Sequence, residues 1–545
     1  MFNAFTVNDL ALVDQKPANS AGKTLAEFQT LLNDTNSTGR PIRSRSGCGE
    51  CRRRKKRCDE TKPVCRLCKR LGIECVWRQP GTERKNAKRR QSQAIKVRLS
   101  SVEETSGVST THTLIDTLRT NLQTSFDYEP QMNVFSLPFI RHLSETESRY
   151  LDYYINYVSS TLSLLPQETN YLLSLYIPLA VHNKAIMSGL IGWSGLFLAG
   201  TKSEETPMKY IQNAVDLCDK TLKSDELTIS DKLELVCVFF ILCAAEICVG
   251  DVKNWYDIFG RLHKFILDEC NGNLKTLLGL LGDTEGAKWL LSNFLYHDVL
   301  SSSSHEEGTL FPIDQYCEAL DIIPGTTQLM DSGTVCDPLQ GCVRPMYVLL
   351  GQIINTKNKL DKMQEDLNAI EDRDSYKQKK FEFLTALEMD FEELETRIKN
   401  TNPHTPSLLL LKDDKELEDH LTLFETYKLS LRIYLRYMVR KTPPAVPEIQ
   451  LMLQELTLCM DVIMDTNVQS GLCFALMVAG MSCVDPVDRD QMEARLRSFC
   501  SKFPVKNFEL VLILIRKAWE LNEDGAHCVN WFDISESMGW YLSLA

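Results

Sequence analysis

The sequence predicts a mainly α-helical chain in two unequal parts, a small six-cysteine module and a much larger all-helical domain. Three observations predict it. Six cysteines fall in the order Cys48-x2-Cys51-x6-Cys58-x6-Cys65-x2-Cys68-x6-Cys75. From about residue 131 to the end, apolar residues recur at spacings of three and four, the period of helices with one buried face. Charge is segregated: the chain has 61 Lys and Arg against 73 Asp and Glu, yet residues 41–98 hold 20 basic against 5 acidic residues and the remainder 41 against 68. A net charge of −12 therefore conceals one strongly basic segment, and affinity for a polyanion is confined to it.

Residues 1–40 are polar and poor in aromatics and are expected to stay disordered. Thr24-x-x-Glu27, ahead of Phe28, Leu31 and Leu32, reads as a capping box that opens a short amphipathic turn. A transient helix is the plain reading of that turn, and a coactivator contact is the alternative.

Residues 41–78 form the module. Zinc takes four soft ligands in a tetrahedron, so two ions need eight ligand positions, and six thiolates supply eight only if two of them bridge both metals. The x2-then-x6 spacing occurs twice. Each half can place two thiolates from a turn on one metal and return a third from beyond a short helix. The gap between Cys51 and Cys58 is filled by Arg52, Arg53, Arg54, Lys55, Lys56 and Arg57, which puts a basic helix on the face of the cluster. A disulfide framework would require an oxidising compartment, and the first residues show no basic segment followed by an apolar run of signal-peptide type. Two separate four-ligand sites would need further ligands, and the nearest histidine is His112. A redox Cys-x-x-Cys pair explains four of the six cysteines and none of the basic residues.

The stretch from Gly47 to Trp77, with its CRRRKKRC, KPVC and CRLCKR runs, resembles the fungal zinc binuclear cluster, a DNA-binding module of transcriptional regulators. The resemblance implies two Zn2+ ions on Cys48, Cys51, Cys58, Cys65, Cys68 and Cys75, with Cys48 and Cys65 bridging. It implies that Pro63 stiffens the loop joining the halves. In the family the matching helix reads a CGG triplet of double-stranded DNA in the major groove, where guanine offers two acceptors to Arg or Lys. Lys55 and Arg54 occupy the base-reading positions. Arg52, Arg53, Lys56, Arg57, Lys69 and Arg70 are then phosphate contacts, which hold register without reading sequence. The runs Arg52–Arg57 and Arg84–Arg90 also resemble a bipartite nuclear import signal, which implies the nucleus as location.

Residues 79–130 have linker composition, first basic and then rich in Ser and Thr. Many relatives place a coiled coil here and bind DNA as homodimers. In this chain Leu114, Leu118 and Leu122, with Ile115 beside them, fall short of three heptads, so a homodimer through this segment remains an alternative to a monomer.

Residues 131–545 are read as one all-helical domain. Ser144-Glu145-Thr146-Glu147 is a capping box, followed by Leu151, Tyr154 and Val158 on one face. Ser230 is expected to cap a helix through Val236, Phe239, Phe240, Cys243 and Ile247 that stops at Gly250. Its apolar stretch, bounded by Glu234 and Glu246, is too short for the ~20 residues of a membrane span. Pro345 sits at a helix start ahead of Met346, Leu349, Ile353, Leu360 and Met363. Leu384, Leu387, Phe391, Leu394 and Ile398 make a seam suited to a neighbouring helix of the same chain. The 13 cysteines outside the module sit mostly among aliphatic residues and read as reduced core residues. The run from Trp531 to Leu544 mixes acids with aromatics, as activation segments do, but is read first as a final helix docked on the core.

IPLA at Ile177–Ala180 and the small and apolar run to Leu198 resemble the fungal-specific regulatory domain that accompanies many zinc clusters. AEICVGDVKNW (Ala245–Trp255), NFLYHDVL (Asn293–Leu300), FPIDQY (Phe311–Tyr316), LLGQ (Leu349–Gln352) and LIRKAWELNEDG (Leu514–Gly525) resemble fungal activators of 4-aminobutyrate (GABA) utilisation genes. The resemblance implies an activator of GABA and nitrogen catabolism genes that recruits transcription machinery or coactivators, with regulation of another amine or nitrogen pathway as the alternative. A small amino-acid inducer would need a carboxylate for its ammonium group and a cation or helix N-terminus for its carboxylate. Glu246, Asp251, Trp255, His297 and Asp298 are chemically suited, but buried polar groups usually pair among themselves, so no effector residue is assigned.

Other classes find less support. There is no Gly-rich phosphate loop, no G-x-S-x-G elbow and no H-E-x-x-H helix, and all-thiolate zinc leaves no open position for a substrate, so no enzyme is expected. A nuclear adaptor using the cluster to bind protein or RNA is the alternative class. Single-stranded RNA calls for aromatics among the basic residues, and none stands between Cys48 and Cys75.

Overall fold

The computed structural model of the chain describes residues 48–53, 58–77, 143–199, 205–224, 226–303, 308–320, 322, 335–502 and 506–544. The amino-terminal segment with Thr24 and Glu27, the linker with Leu114, Ile115, Leu118 and Leu122, the second basic run Arg84–Arg90, and Arg54, Lys55, Lys56 and Arg57 lie outside the described residues. Among the described residues the secondary structure is helical and there is no strand, as the apolar periodicity led one to expect.

The cysteine module holds two short helices, α1 (Gly49–Arg53) and α2 (Arg66–Leu71). Each begins directly after the first cysteine of a Cys-x2-Cys pair. Helix α2 ends because Gly72 takes the left-handed conformation (φ 63°). The Gly72 N–H then donates to the Lys69 carbonyl at 3.3 Å and the Ile73 N–H to the Cys68 carbonyl at 3.1 Å, which satisfies the last carbonyls of the helix.

In the helical body, α3 (Glu145–Tyr153) opens on the expected capping box. The Glu147 N–H donates to Ser144 Oγ at 3.3 Å and the Ser144 N–H to Glu147 Oε2 at 2.7 Å. The chain runs on through a π-helical turn at Tyr154–Val158, and Leu151, Tyr154 and Val158 are buried as one face. Next come α4 (Lys184–Ala199), α5 (Glu205–Leu222), α6 (Ile229–Cys248), α7 (Asn254–Cys270) and α8 (Glu285–Ser302). Helix α6 corrects one expectation: its N-cap is Thr228, and Ser230 lies within the first turn. Thr228 has Asp231 three residues on to reciprocate, with Asp231 N–H to Thr228 Oγ1 at 3.2 Å and Thr228 N–H to Asp231 Oδ2 at 2.9 Å, whereas the Ser230 hydroxyl donates to Glu234 at 3.0 Å. The residues from Leu235 to Cys243 are buried all round, as a core helix requires. No helix among the described residues is long and apolar enough to cross a membrane.

Helix α4 is buried on nearly every side because Gly189, Gly192 and Gly195 let α5 and α6 approach its backbone. A Cβ on Gly192 would stand 2.6 Å from Ile211 Cδ1 and 3.0 Å from the Ile211 backbone nitrogen. Gly192→Ala is therefore expected to destabilise the body by about 1–3 kcal/mol, the cost of forcing extra volume into a packed interface. Gly260→Ala serves as control: the position is exposed in mid-helix with nothing within 4 Å. It should stabilise by about 0.4–1 kcal/mol. Urea denaturation midpoints that move in the same direction for both variants would contradict the packing argument.

The second half is built from α9 (Arg344–Asn368), α10 (Arg373–Asn400), α11 (Asp414–Met438), α12 (Pro447–Ile463), α13 (Cys473–Ser482), α14 (Asn507–Leu521) and α15 (Trp531–Ser537). Pro345 stands in the first turn of α9, where its missing N–H costs nothing. On α10, Phe391, Leu394 and Ile398 are buried, and the helix packs on α9 and α11. Leu384, in the same seam, is half-exposed. Helix α15 is docked: Trp531 and Phe532 are buried, and the Trp531 Nε1–H donates to the Ser303 carbonyl at 2.9 Å. The cysteines of the body are free thiols and most are buried.

Candidate metal centre and nucleic-acid interface

The sulfur cluster is assembled by local structure alone. The two Cys-x2-Cys turns present Cys48 and Cys51 from the start of α1, and Cys65 and Cys68 from the start of α2. These four sulfurs lie within 4.8 Å of one another and are wholly buried. Cys48 Sγ is 3.8 Å and Cys51 Sγ 3.6 Å from Cys65 Sγ. Cys58 is also buried, and its sulfur groups with Cys65 Sγ and a carboxylate oxygen of Asp59.

Backbone donors converge on the sulfurs. The Cys48 N–H points to Cys58 Sγ at 3.5 Å, the Cys51 N–H to Cys48 Sγ at 3.4 Å and the Cys65 N–H to Cys75 Sγ at 3.3 Å. Donors placed in this way favour charged sulfur acceptors. Burial, helped by the adjoining Cys48 and Cys65 sulfurs, pushes the Cys51 thiol well above the usual range in the absence of a cation. Thiolates packed this densely require positive charge among them. A soft sulfur donor set with no disulfide fits zinc.

The loops brace the knot. The Gly49 N–H donates to the Val76 carbonyl at 2.7 Å, tying the first turn to the end of the module. The Trp77 Nε1–H donates to the Pro63 carbonyl at 2.6 Å, and Lys62 Nζ lies 5.6 Å from the centre of the Trp77 ring. The Lys62–Pro63 peptide is cis. Asp59 accepts from the Thr61 hydroxyl and, at 3.0 Å, from the Arg66 N–H at the start of α2.

Of the expected DNA contacts, Arg52 and Arg53 belong to the backbone of α1, and Lys69 and Arg70 are exposed on the last turn of α2. The base-reading pair Lys55 and Arg54, with Lys56 and Arg57, falls outside the described residues.

Most of the five polar residues suited to an inducer are committed to other groups of the chain. Asp298 is buried and accepts from the Leu310 N–H at 2.9 Å and the Tyr316 hydroxyl at 2.6 Å. Asp251 accepts from the Lys253 and Trp255 amides and so caps α7. Trp255 Nε1–H donates to the Tyr541 carbonyl at 2.6 Å. Burial, with Asp251 nearby, pushes Glu246 up to about 7, against a hydrogen bond from Asn254. His297 alone lines a cavity, beside Asn293, a residue the reading of the sequence passed over. Its signal was an amide at the head of the segment NFLYHDVL.

Comparison with known proteins matches both parts of the chain. Residues 46–84 match the fungal Zn(2)-Cys(6) binuclear cluster domain, and residues 149–545 match the fungal specific transcription factor domain. The chain belongs to the fungal zinc-cluster transcription factors. This zinc-cluster factor is 25% identical over 553 residues to the uncharacterized transcriptional regulatory protein C965.10 of Schizosaccharomyces pombe, covering 93% of the chain and 98% of that relative. It is 26% identical over 524 residues to the transcriptional activator protein UGA3 of Saccharomyces cerevisiae, covering 88% and 94%. Over 52 residues it is 58% identical to the zinc cluster transcription factor CZF1 of Candida albicans, covering 9% of the chain and 14% of that protein. No solved structure matches the chain. The module of the zinc-cluster factor binds two zinc ions, and its clustered cysteines supply the sulfur.

Proposed function

We propose that this zinc-cluster factor is a nuclear activator that reads CGG-type triplets in double-stranded DNA at genes of GABA and nitrogen catabolism. The sulfur knot at the root of α1 carries the reading. It sets the direction of a short helix whose sequence continues through six consecutive basic residues, Arg52 to Arg57. In this reading Cys48 and Cys65 bridge the two ions, Cys51, Cys58, Cys68 and Cys75 complete them, and Lys55 and Arg54 reach guanine. Arg52, Arg53, Lys56, Arg57, Lys69 and Arg70 hold the phosphates. Similarity along most of the chain to a protein named a transcriptional activator supports activation, and the ordered segments that resemble GABA-gene activators support the pathway.

Electrophoretic shift tests the DNA reading. Retention of a CGG duplex over a scrambled duplex and over RNA is expected, and equal retention of all three would favour the adaptor. Lys55→Ala should cost about 1–3 kcal/mol on the CGG duplex and much less on the scrambled one, whereas Lys69→Ala should weaken both alike and lower the salt slope by about 1. A uniform loss for Lys55→Ala would move that residue to the phosphates. Genome-wide occupancy with and without GABA tests the pathway, and binding confined to another amine pathway would reassign it.

A further inference from the structure

Helix α10 changes character along its length. Its C-terminal part packs on α9 and α11 and buries Phe391, Leu394 and Ile398. Nearer the N-terminus the inward side is half-buried, with Phe383, Ala386 and Leu387, while on the outward side Phe381 is 72%, Leu384 51% and Met389 67% exposed. At about 3.6 residues per turn, Phe381, Leu384, Thr385, Glu388 and Met389 share one face. Single apolar residues are common on protein surfaces, but a phenylalanine, a leucine and a methionine gathered on one face of one helix mark a contact surface.

Charge decides what that surface fits. From Arg373 to Lys380 the helix carries four basic residues and one acid, and from Phe381 to Thr396 six acids and no base. Lys377 and Glu392 lie at the two ends of the apolar face, and both are exposed. A helix with a basic end, an apolar middle and an acidic end is complementary to itself run in the opposite direction. A two-fold axis between Leu384 and Thr385 sets Lys377 against Glu392 of the other copy and Lys380 beside Glu388, each contact made twice, as an isologous interface requires. Within the chain Lys377 reaches Asp374 at 3.0 Å, and Arg440 reaches Glu388 at 2.6 Å and Glu392 at 3.0 Å. Exposed pairs of this kind hold little energy and exchange partners readily. Helix α12 supplies the contrast: Leu451, Leu458 and Val462 are just as exposed on one face, yet the helix has no Lys or Arg, and two copies would bring like charges together.

We propose that the outer face of α10 is a self-association surface, on which a second copy of the chain lays its own α10 antiparallel, with Phe381, Leu384 and Met389 at the centre and Lys377 against Glu392 at both ends. The face runs about 22 Å from Lys377 to Glu392, the length of one helix pair. It belongs with the small interfaces that form and dissociate at about micromolar concentrations. The contact lies wholly within the helical body, uses none of the linker leucines, and stands whichever DNA the chain reads.

The test is sedimentation of the full zinc-loaded chain from about 1 to 100 µM. The wild type should pass from monomer to dimer over this range. Leu384→Lys should stay monomeric throughout, whereas Leu458→Lys on α12 should dimerise as the wild type does. Lys377→Glu and Glu392→Lys should each weaken association about tenfold, since each homodimer then sets like charges together twice. An equimolar mixture of these two variants should recover the wild-type strength, because every Lys then meets a Glu across the interface. Residues about 22 Å apart on one helix cannot meet within a chain, so such recovery arises only between copies. All four substituted positions are exposed, and each variant should melt as cooperatively as the wild type. A wild type that stays monomeric would leave the face to a different protein and overturn the proposal. So would a dimer that survives Leu384→Lys, which would move the contact to the linker, an equal loss in Leu458→Lys, or a mixture no stronger than its components.

Discussion

Cys65→Ser is expected to release zinc from the module and abolish specific DNA retention while the helical body stays folded. Cys65 Sγ stands at the middle of the knot, 3.8 Å from Cys48 Sγ and 3.6 Å from Cys51 Sγ. A hydroxyl there is harder, poorly ionised and shorter, and in the proposed arrangement, where Cys65 serves both ions, its neighbours could not replace it. The module has little else to hold it: beside the cysteines, Leu71 is its one fully buried large side chain among the described residues. Metal binding supplies on the order of 10–16 kcal/mol to structural zinc domains, so metal loss and unfolding are one event. Zinc measured by elemental analysis should fall from two per chain, the CGG duplex should no longer shift, and far-ultraviolet helicity should change little. Cys473→Ser is the contrast, since Cys473 lines the cavity of the body far from the sulfur knot in sequence. It should leave zinc content intact. Two zinc ions retained by Cys65→Ser would remove the metal from the centre of this account.

What the sequence made legible was local. A Cys-x2-Cys turn specifies its own geometry within four residues, and Ser144 with Glu147 closes its hydrogen bonds within one turn, so both were readable directly. The start of α6 was misplaced by two residues for the same kind of reason: Ser230 and Thr228 are both plausible caps, and what separates them is which one finds a carboxylate three positions later. Non-local features were hidden. The approach of α5 to α4 at Gly192 depends on Ile211, and the cavity is walled by residues from Leu162 to Phe508, a coincidence that no periodicity announces. The polar residues chosen as chemically suited to an inducer were chosen by type, whereas the fold turns Asp298, Asp251 and Trp255 toward backbone groups and leaves only His297 among the residues that line the hollow.

Glu395→Ala is expected to destabilise the helical body by about 3–5 kcal/mol at pH 7, because it leaves buried guanidinium charge without its main partner. Glu395 on α10 is buried and receives Arg436 Nη1 at 3.0 Å, Arg432 Nε at 3.0 Å and Lys399 Nζ at 2.9 Å. Arg436 is itself buried and, once Glu395 is gone, retains Glu448 at 2.6 Å as its carboxylate partner and the Arg432 carbonyl at 2.9 Å. The cluster bolts α10 to α11 above the contact of Phe391 with the Arg436 and Arg440 guanidinium groups. Burial acts to raise the Glu395 carboxyl, but the hydrogen bonds from Arg436 and Lys399 and the charges of Arg436 and Arg432 outweigh it and hold the group at about 2. Its folded value therefore lies below the ordinary value of 4.5. The stabilisation is present in full above about pH 4.5 and is lost as pH falls toward 2, where the carboxyl takes up a proton in the folded chain. Urea denaturation of the two proteins should differ most at neutral pH and converge in acid. Glu395→Met with Arg436→Met should recover much of the loss, since an apolar pair removes the stranded charge along with the bond. A difference below about 1 kcal/mol at pH 7, the size typical of an exposed pair, would show that the cluster is solvated and that α10 is held to α11 by Phe391, Leu394 and Ile398 alone.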